Sequence, residues 1–161
     1  MAFFIIFLGL LFGACLFALW RGGGPERAIA ALFLIAWLAS IATRAPFQRL
    51  YQGVAYHTLA IDTLLFVSLL IVTRRANRKW PVLVTGLQLL VALAHLARIL
   101  MPFELPVVYM IMTAAWPFIQ LITVLAGTAF HWRRTAIHGA EASWTNSPPS
   151  PPPTTPPPSG S

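Results

Sequence analysis

Apolar residues fill this chain in five long blocks, and the charged residues gather in short clusters between them. The blocks run over about 3–20, 28–43, 55–73, 82–100 and 107–131. An α-helix rises 1.5 Å per residue, so roughly 20 residues cross a hydrocarbon core about 30 Å thick. The pattern predicts an all-α integral membrane protein, a bundle of five transmembrane helices. The second block is the shortest, its sixteen residues reaching only about 24 Å. Arg27 and Arg44 at its ends can close that gap by snorkelling. The alternative is four spans, with this segment lying shallow. After Arg134 the pattern stops, and "SPPSPPPTTPPPSGS" carries eight prolines in fifteen residues. Proline fixes its own φ and donates no amide, so 135–161 reads as a disordered Pro-rich cytoplasmic tail. It would act as a passive spacer, with docking to a proline-binding partner as the second reading.

Composition supports the same class. The chain is 58% hydrophobic and 9% charged, where soluble domains hold about a quarter charged residues. The net charge of +7 would suit nucleic acid, but the cations sit at block ends, where long side chains reach the headgroups. Lipid and topology therefore account for the charge, and nucleic acid is not an expected partner. Cys15 is the only cysteine, which excludes an internal disulfide and a thiolate metal cluster within one chain. One lysine beside ten arginines, with abundant Ala and Leu, suggests a GC-rich bacterial genome. Five spans put Arg21, Arg27, Arg74, Arg75, Arg78, Lys79, Arg133 and Arg134 on one side, and Arg44, Arg49 and Arg98 on the other. The positive-inside rule then expects the bacterial inner membrane with the N-terminus outside and the C-terminus cytoplasmic. Trp20, Trp80 and Trp132 fall at the cytoplasmic ends and read as an interfacial belt, with Tyr51, Tyr56 and Tyr109 at the outer ends.

Ionisable groups at membrane depth are costly and usually face the protein interior. Here they are His57, Asp62, His95 and, nearer the boundary, Arg98. The short "RRANRKW" connection makes the third and fourth spans antiparallel neighbours, so these residues share one layer in the outer half. Gln88 and His95 are seven residues apart on the fourth span, as are Thr113, Gln120 and Gly127 on the fifth, which places each set on one helical stripe. Polar glue between helices is the expectation for Gln88, Thr113 and Gln120. Asp62 demands more, because an isolated carboxylate in lipid takes up a proton or finds a cation. It is expected to pair with His95 or Arg98, either as a structural ion pair or as part of a transport site. Gly9 and Gly13 form a small-xxx-small pair that admits a close helix, from this chain or from a second copy. Pro117 removes one amide from the fifth span and predicts a kink beside Trp116.

His57 and Asp62 in "HTLAID" have the spacing that begins the His-x4-Asp-His signature of nickel and cobalt transporters, which they resemble for those two residues. Thr63 stands where the second histidine belongs, and positions 57 and 62 lie about 140° apart on a helix. A metal site and membership of that family are therefore not expected. His57 and His95 would suit a haem held between helices, but such a site needs small residues around it, and while Ala92 and Ala94 lie near His95, His57 has Tyr56 and Leu59 beside it. Hydrolase and phosphate-loop motifs are missing from the sequence. The expected role is a non-catalytic accessory, scaffold or assembly component, without cofactor or metal. Its expected partners are membrane lipid and, through the helices, another membrane protein or a second copy. A small-solute or proton translocator using Asp62, His95 and Arg98 is the alternative, and a haem-binding redox subunit the third reading.

Overall fold

A computed structural model describes residues 2–47, 56–100, 106–139 and 144–145, with the side chains of 44–47, 98, 106–114 and 138 left undescribed. The described chain is all helical: α1 (Ala2–Arg21), α2 (Gly24–Phe47), α3 (Tyr56–Arg75), α4 (Trp80–Leu100) and α5 (Pro106–His138). Four stretches are long and apolar enough to cross a membrane: Ala2–Arg21, Gly24–Thr43, Tyr56–Arg75 and Trp80–Ala97.

Each helix packs on its sequence neighbours, and α5 returns to pack against α1, closing a five-membered ring with a smaller contact between α5 and α2. The turns 22–23 and 76–79 and the C-terminal part of α5 consequently share one end of the bundle, called the near end below. The starts of α1, α3 and α5 and the ends of α2 and α4 share the far end.

The second span differs most from expectation. At 24 residues, α2 is about 36 Å long, and it begins four residues before the apolar block does. Three features set that start. Gly22 leaves no room for a Cβ, which would lie 2.6 Å from Glu26 Cβ. Pro25 occupies the first turn, where its missing N–H costs nothing. The Arg27 Nε–H donates to the Gly22 carbonyl at 3.0 Å, and the Arg27 amide to the Gly23 carbonyl at 3.1 Å. The polar "PER" that hid this turn from a hydropathy reading is what builds it.

The buried core runs through all five helices and includes Leu11, Cys15 and Ala18 of α1, Ile29 and Phe33 of α2, Leu65 and Leu69 of α3, Val84 of α4, and Leu121 and Val124 of α5. The α1–α5 seam carries Phe118 against Phe3 and Phe7, with ring centroids 4.8 and 5.5 Å apart. Large apolar side chains also cover the outside, among them Ile5, Leu16, Ile35, Leu64 and Ile122. Gly9 and Gly13 face outward too: a Cβ on either meets nothing within 4 Å. The close approach they permit is thus not used among the described residues.

Two tryptophans at the near end behave differently from a uniform belt. Trp20 is exposed, and the Arg21 guanidinium lies 4.2 Å from its ring and 5.4 Å from that of Trp132. Trp80 instead packs on the core, its indole lying where a Cβ on Gly127 would fall 2.7 Å from Cδ2. Gly127, the third member of the α5 stripe, therefore serves packing by α4. At Pro117 α5 remains one continuous helix. It also runs on to His138, past the Arg134 boundary, and of residues 140–161 only Trp144 and Thr145 are described.

Candidate functional site: two buried polar clusters

Asp62 opens the inward stripe of α3, followed at helical spacing by the buried Leu65 and Leu69 and by Thr73. On α4, Gln88 and His95 lie two turns apart on the face that meets α3. The His95 Nε2 is 3.0 Å from Asp62 Oδ2. The Gln88 Nε2 amide donates to Asp62 Oδ1 at 3.0 Å and lies 3.3 Å from the Asp62 carbonyl. Gln120 of α5 completes the row by donating from Nε2 to Gln88 Oε1 at 3.0 Å and to the Val84 carbonyl at 3.3 Å.

The direction of this row follows from the chemistry of one member. The Asp62 Oδ1 and backbone carbonyl both face the amide nitrogen of Gln88, which donates to the carboxyl oxygen. The Gln88 oxygen then faces α5, and Gln120 must donate to it. Three helices are thereby joined by one polarised chain of bonds, with Gln88 and Gln120 only 2% and 1% exposed. Nearer the other end, Thr85 donates to the Pro81 carbonyl at 2.9 Å, leaving Thr73 to donate to the Thr85 oxygen at 2.7 Å.

The remaining residues expected in this layer fall outside it or outside description. His57 lies about one turn and a half before Asp62 on the regular helix α3, about 140° round from it. The side chains of Arg98 and Thr113 lie outside the described residues. Among the described residues, no three His, Cys, Asp or Glu side chains converge as a metal site.

A second cluster at the near end was not foreseen. Glu26, in the first turn of α2, is fully buried and its Oε1 is 3.3 Å from Arg78 Nε. Arg78 comes from the α3–α4 connection, and its Nη2 is 2.8 Å from His131 Nδ1 on α5. The helix macrodipole favours a carboxylate in this first turn, and Arg78 compensates its charge. Neither Glu26 oxygen accepts a hydrogen bond from the described residues, so Glu26 depends on the Arg78 charge. The available sequence signal was sparse but real. Glu26 is the sole acid on the basic side of residues 1–134. In a hydropathy reading Arg78 is merely one cation of a basic loop.

Between the two clusters the interior is mainly apolar, and its few hydroxyls, those of Thr73, Thr85 and Thr128, are hydrogen-bonded. From Gln120 to His131, about 16 Å along α5, the buried residues are Leu121, Val124, Gly127 and Thr128. The Thr128 hydroxyl is bound to the carbonyl of Val124 at 2.8 Å. Ile29, Leu69 and Val84 close the same core from the other helices. The polar row and the near-end triad are thus separate groups, each linking three helices. No known protein family, no curated protein and no solved structure matches the chain.

Proposed function

We propose that this is a polytopic protein of the bacterial inner membrane, N-terminus outside, that works as a non-catalytic accessory, scaffold or assembly component. The inside-out distribution of side chains favours a lipid environment. Gln88, Gln120, His95, Glu26 and Thr128 are buried, while Ile, Leu and Phe cover the exterior on every helix. A helix apolar all round is at home in a protein core or a membrane, and an aqueous surface rarely exposes so much apolar area. The basic residues at the near end support a cytoplasmic placement for it.

The observation that carries the non-conducting reading is the packed, mainly apolar layer between the two polar clusters, where the Thr85 and Thr128 hydroxyls are bound to carbonyls of their own helices. Translocation of a proton or small solute needs polar groups or water along the whole path, and buried Leu121, Val124, Val84, Leu69 and Ile29 pack the core there. The Asp62–His95 pair and both glutamines then act as ties between α3, α4 and α5. The partners of such a scaffold are lipid and a second membrane protein or another copy, reached through outward helix faces such as that of Gly9 and Gly13.

Translocation is the second reading, favoured by one feature: the Asp62 side chain keeps 18% of its surface accessible beside His95. Proteoliposomes under an imposed pH gradient distinguish the two. The scaffold reading expects flux no greater than in empty vesicles, and a flux that disappears in Asp62→Asn would overturn it.

A further inference from the structure

The near end carries a second built feature, made by residues from opposite ends of the sequence. Arg74 and Arg75 form the last turn of α3, and both are exposed. Trp144 and Thr145 fold back over them. Trp144 bridges to Ala76, and Thr145 donates both its amide and its hydroxyl to the Arg75 carbonyl at 3.0 Å. The indole of Trp144 lies against the bare Cα of Gly24, where a Cβ would fall 2.6 Å from Cε2. Together Arg74, Arg75, Trp144 and Thr145 line an open pocket of about 460 Å³.

We propose that this pocket binds a phosphate-bearing anionic headgroup, and that the docked Trp144–Thr145 segment is part of the site. The inference rests on the membrane reading above. Guanidinium groups pair with phosphate oxygens through parallel N–H donors, which lysine does not match. Among the described residues neither Arg74 nor Arg75 has an acidic partner. Basic residues in a last turn also complement the helix dipole, but that effect does not call for a tryptophan from the far end of the chain. The Thr145 contacts have a separate consequence. They occupy a terminal carbonyl of α3 that would otherwise repel an anion. Trp144 brings an aromatic body with one polar edge, the combination that settles at headgroup depth. The pocket opens where the apolar stretch of α3 ends, on the side that faces anionic lipid in the cytoplasmic leaflet.

The test uses the full chain in phosphatidylcholine vesicles containing brominated phosphatidylglycerol or brominated phosphatidylcholine, with tryptophan quenching as the readout. Inorganic phosphate is added in a parallel arm. The wild type should prefer phosphatidylglycerol roughly tenfold or more, the scale expected of two arginines at the surface. Arg74→Gln with Arg75→Gln should abolish the preference without undocking Thr145, which binds the Arg75 backbone. Gly24→Val should abolish it by expelling Trp144 while both arginines remain. Trp144→Ala, read by competition with unlabelled lipid, serves in its place if Gly24→Val fails to fold. Saturation by millimolar phosphate with the same dependence on these residues would support the site and assign it to a soluble anion. A preference that survives the double arginine change would overturn the proposal. So would one lost with the arginines but kept in both Gly24→Val and Trp144→Ala, since that is plain surface attraction. Failure of the membrane reading looks different: the wild type would be missing from the vesicle fraction altogether.

Discussion

Glu26 and Arg78 offer the sharpest quantitative test of the near-end packing. Both side chains are almost fully buried, at 0% and 3% exposure, and their closest approach is 3.3 Å. Removing one member of a buried pair leaves the other charge uncompensated, which typically costs about 3–5 kcal/mol. Glu26→Ala removes the carboxylate that Arg78 Nε approaches at 3.3 Å inside the bundle. Arg78→Ala strands a carboxylate whose oxygens accept no hydrogen bond from the described residues. Each single change should therefore cost about 3–5 kcal/mol. Replacing both, as Glu26→Leu with Arg78→Met, removes the charges together, and that outcome is commonly neutral or even stabilising by about 1–4 kcal/mol. Unfolding in mixed micelles with increasing dodecyl sulfate, followed by far-ultraviolet circular dichroism, measures all three variants. The coupling is the double-variant effect minus the sum of the singles. If each single change costs under about 1 kcal/mol, or if the two simply add, the buried pair does not exist as described.

Other outcomes follow from the same contacts. Gly127→Leu drives a side chain into the Trp80 indole, so it should destabilise by about 1–3 kcal/mol and shift the Trp80 emission to the red, while Gly86→Leu, which meets nothing within 4 Å, should do neither. Gln88→Leu breaks the chain of bonds in its middle and should cost more than Gln120→Leu, each within about 0.6–2 kcal/mol, measured by the same micellar unfolding; the reverse order would contradict the donor direction fixed by Asp62. Protein purified from haem-replete cells should show no Soret band, and a band lost on His95→Ala would revive the redox reading.

Hydropathy revealed most of the architecture because long apolar helices announce themselves residue by residue. The same rule cut α2 short, since Pro25, Glu26 and Arg27 look like loop and are in fact its first turn. Pairing partners were harder to read. Gln88 and His95 share a stripe through spacing within one helix, and their common depth with Asp62 follows from a short connection. Contact between Glu26, Arg78 and His131 depends on how three separate chain segments meet at one end, and no local period encodes that. Trp80 looked like a belt residue because its position marks a helix end, whereas its direction is set by the space above Gly127. Trp144 sits in a segment whose composition is dominated by the prolines that follow it, and its seat is a glycine far upstream.

The central claim is that the buried polar row holds α3, α4 and α5 together. It is tested most directly by the melting temperature of Asp62→Asn in lipid nanodiscs. Asparagine keeps an oxygen for Gln88 but loses the charge beside His95, a bond worth about 1–2 kcal/mol. At about 2–4 °C per kcal/mol for a chain of this size, the melting temperature should fall by about 2–8 °C. An unchanged melting temperature would contradict the claim and leave Asp62 without a structural reason to lie inside the bundle.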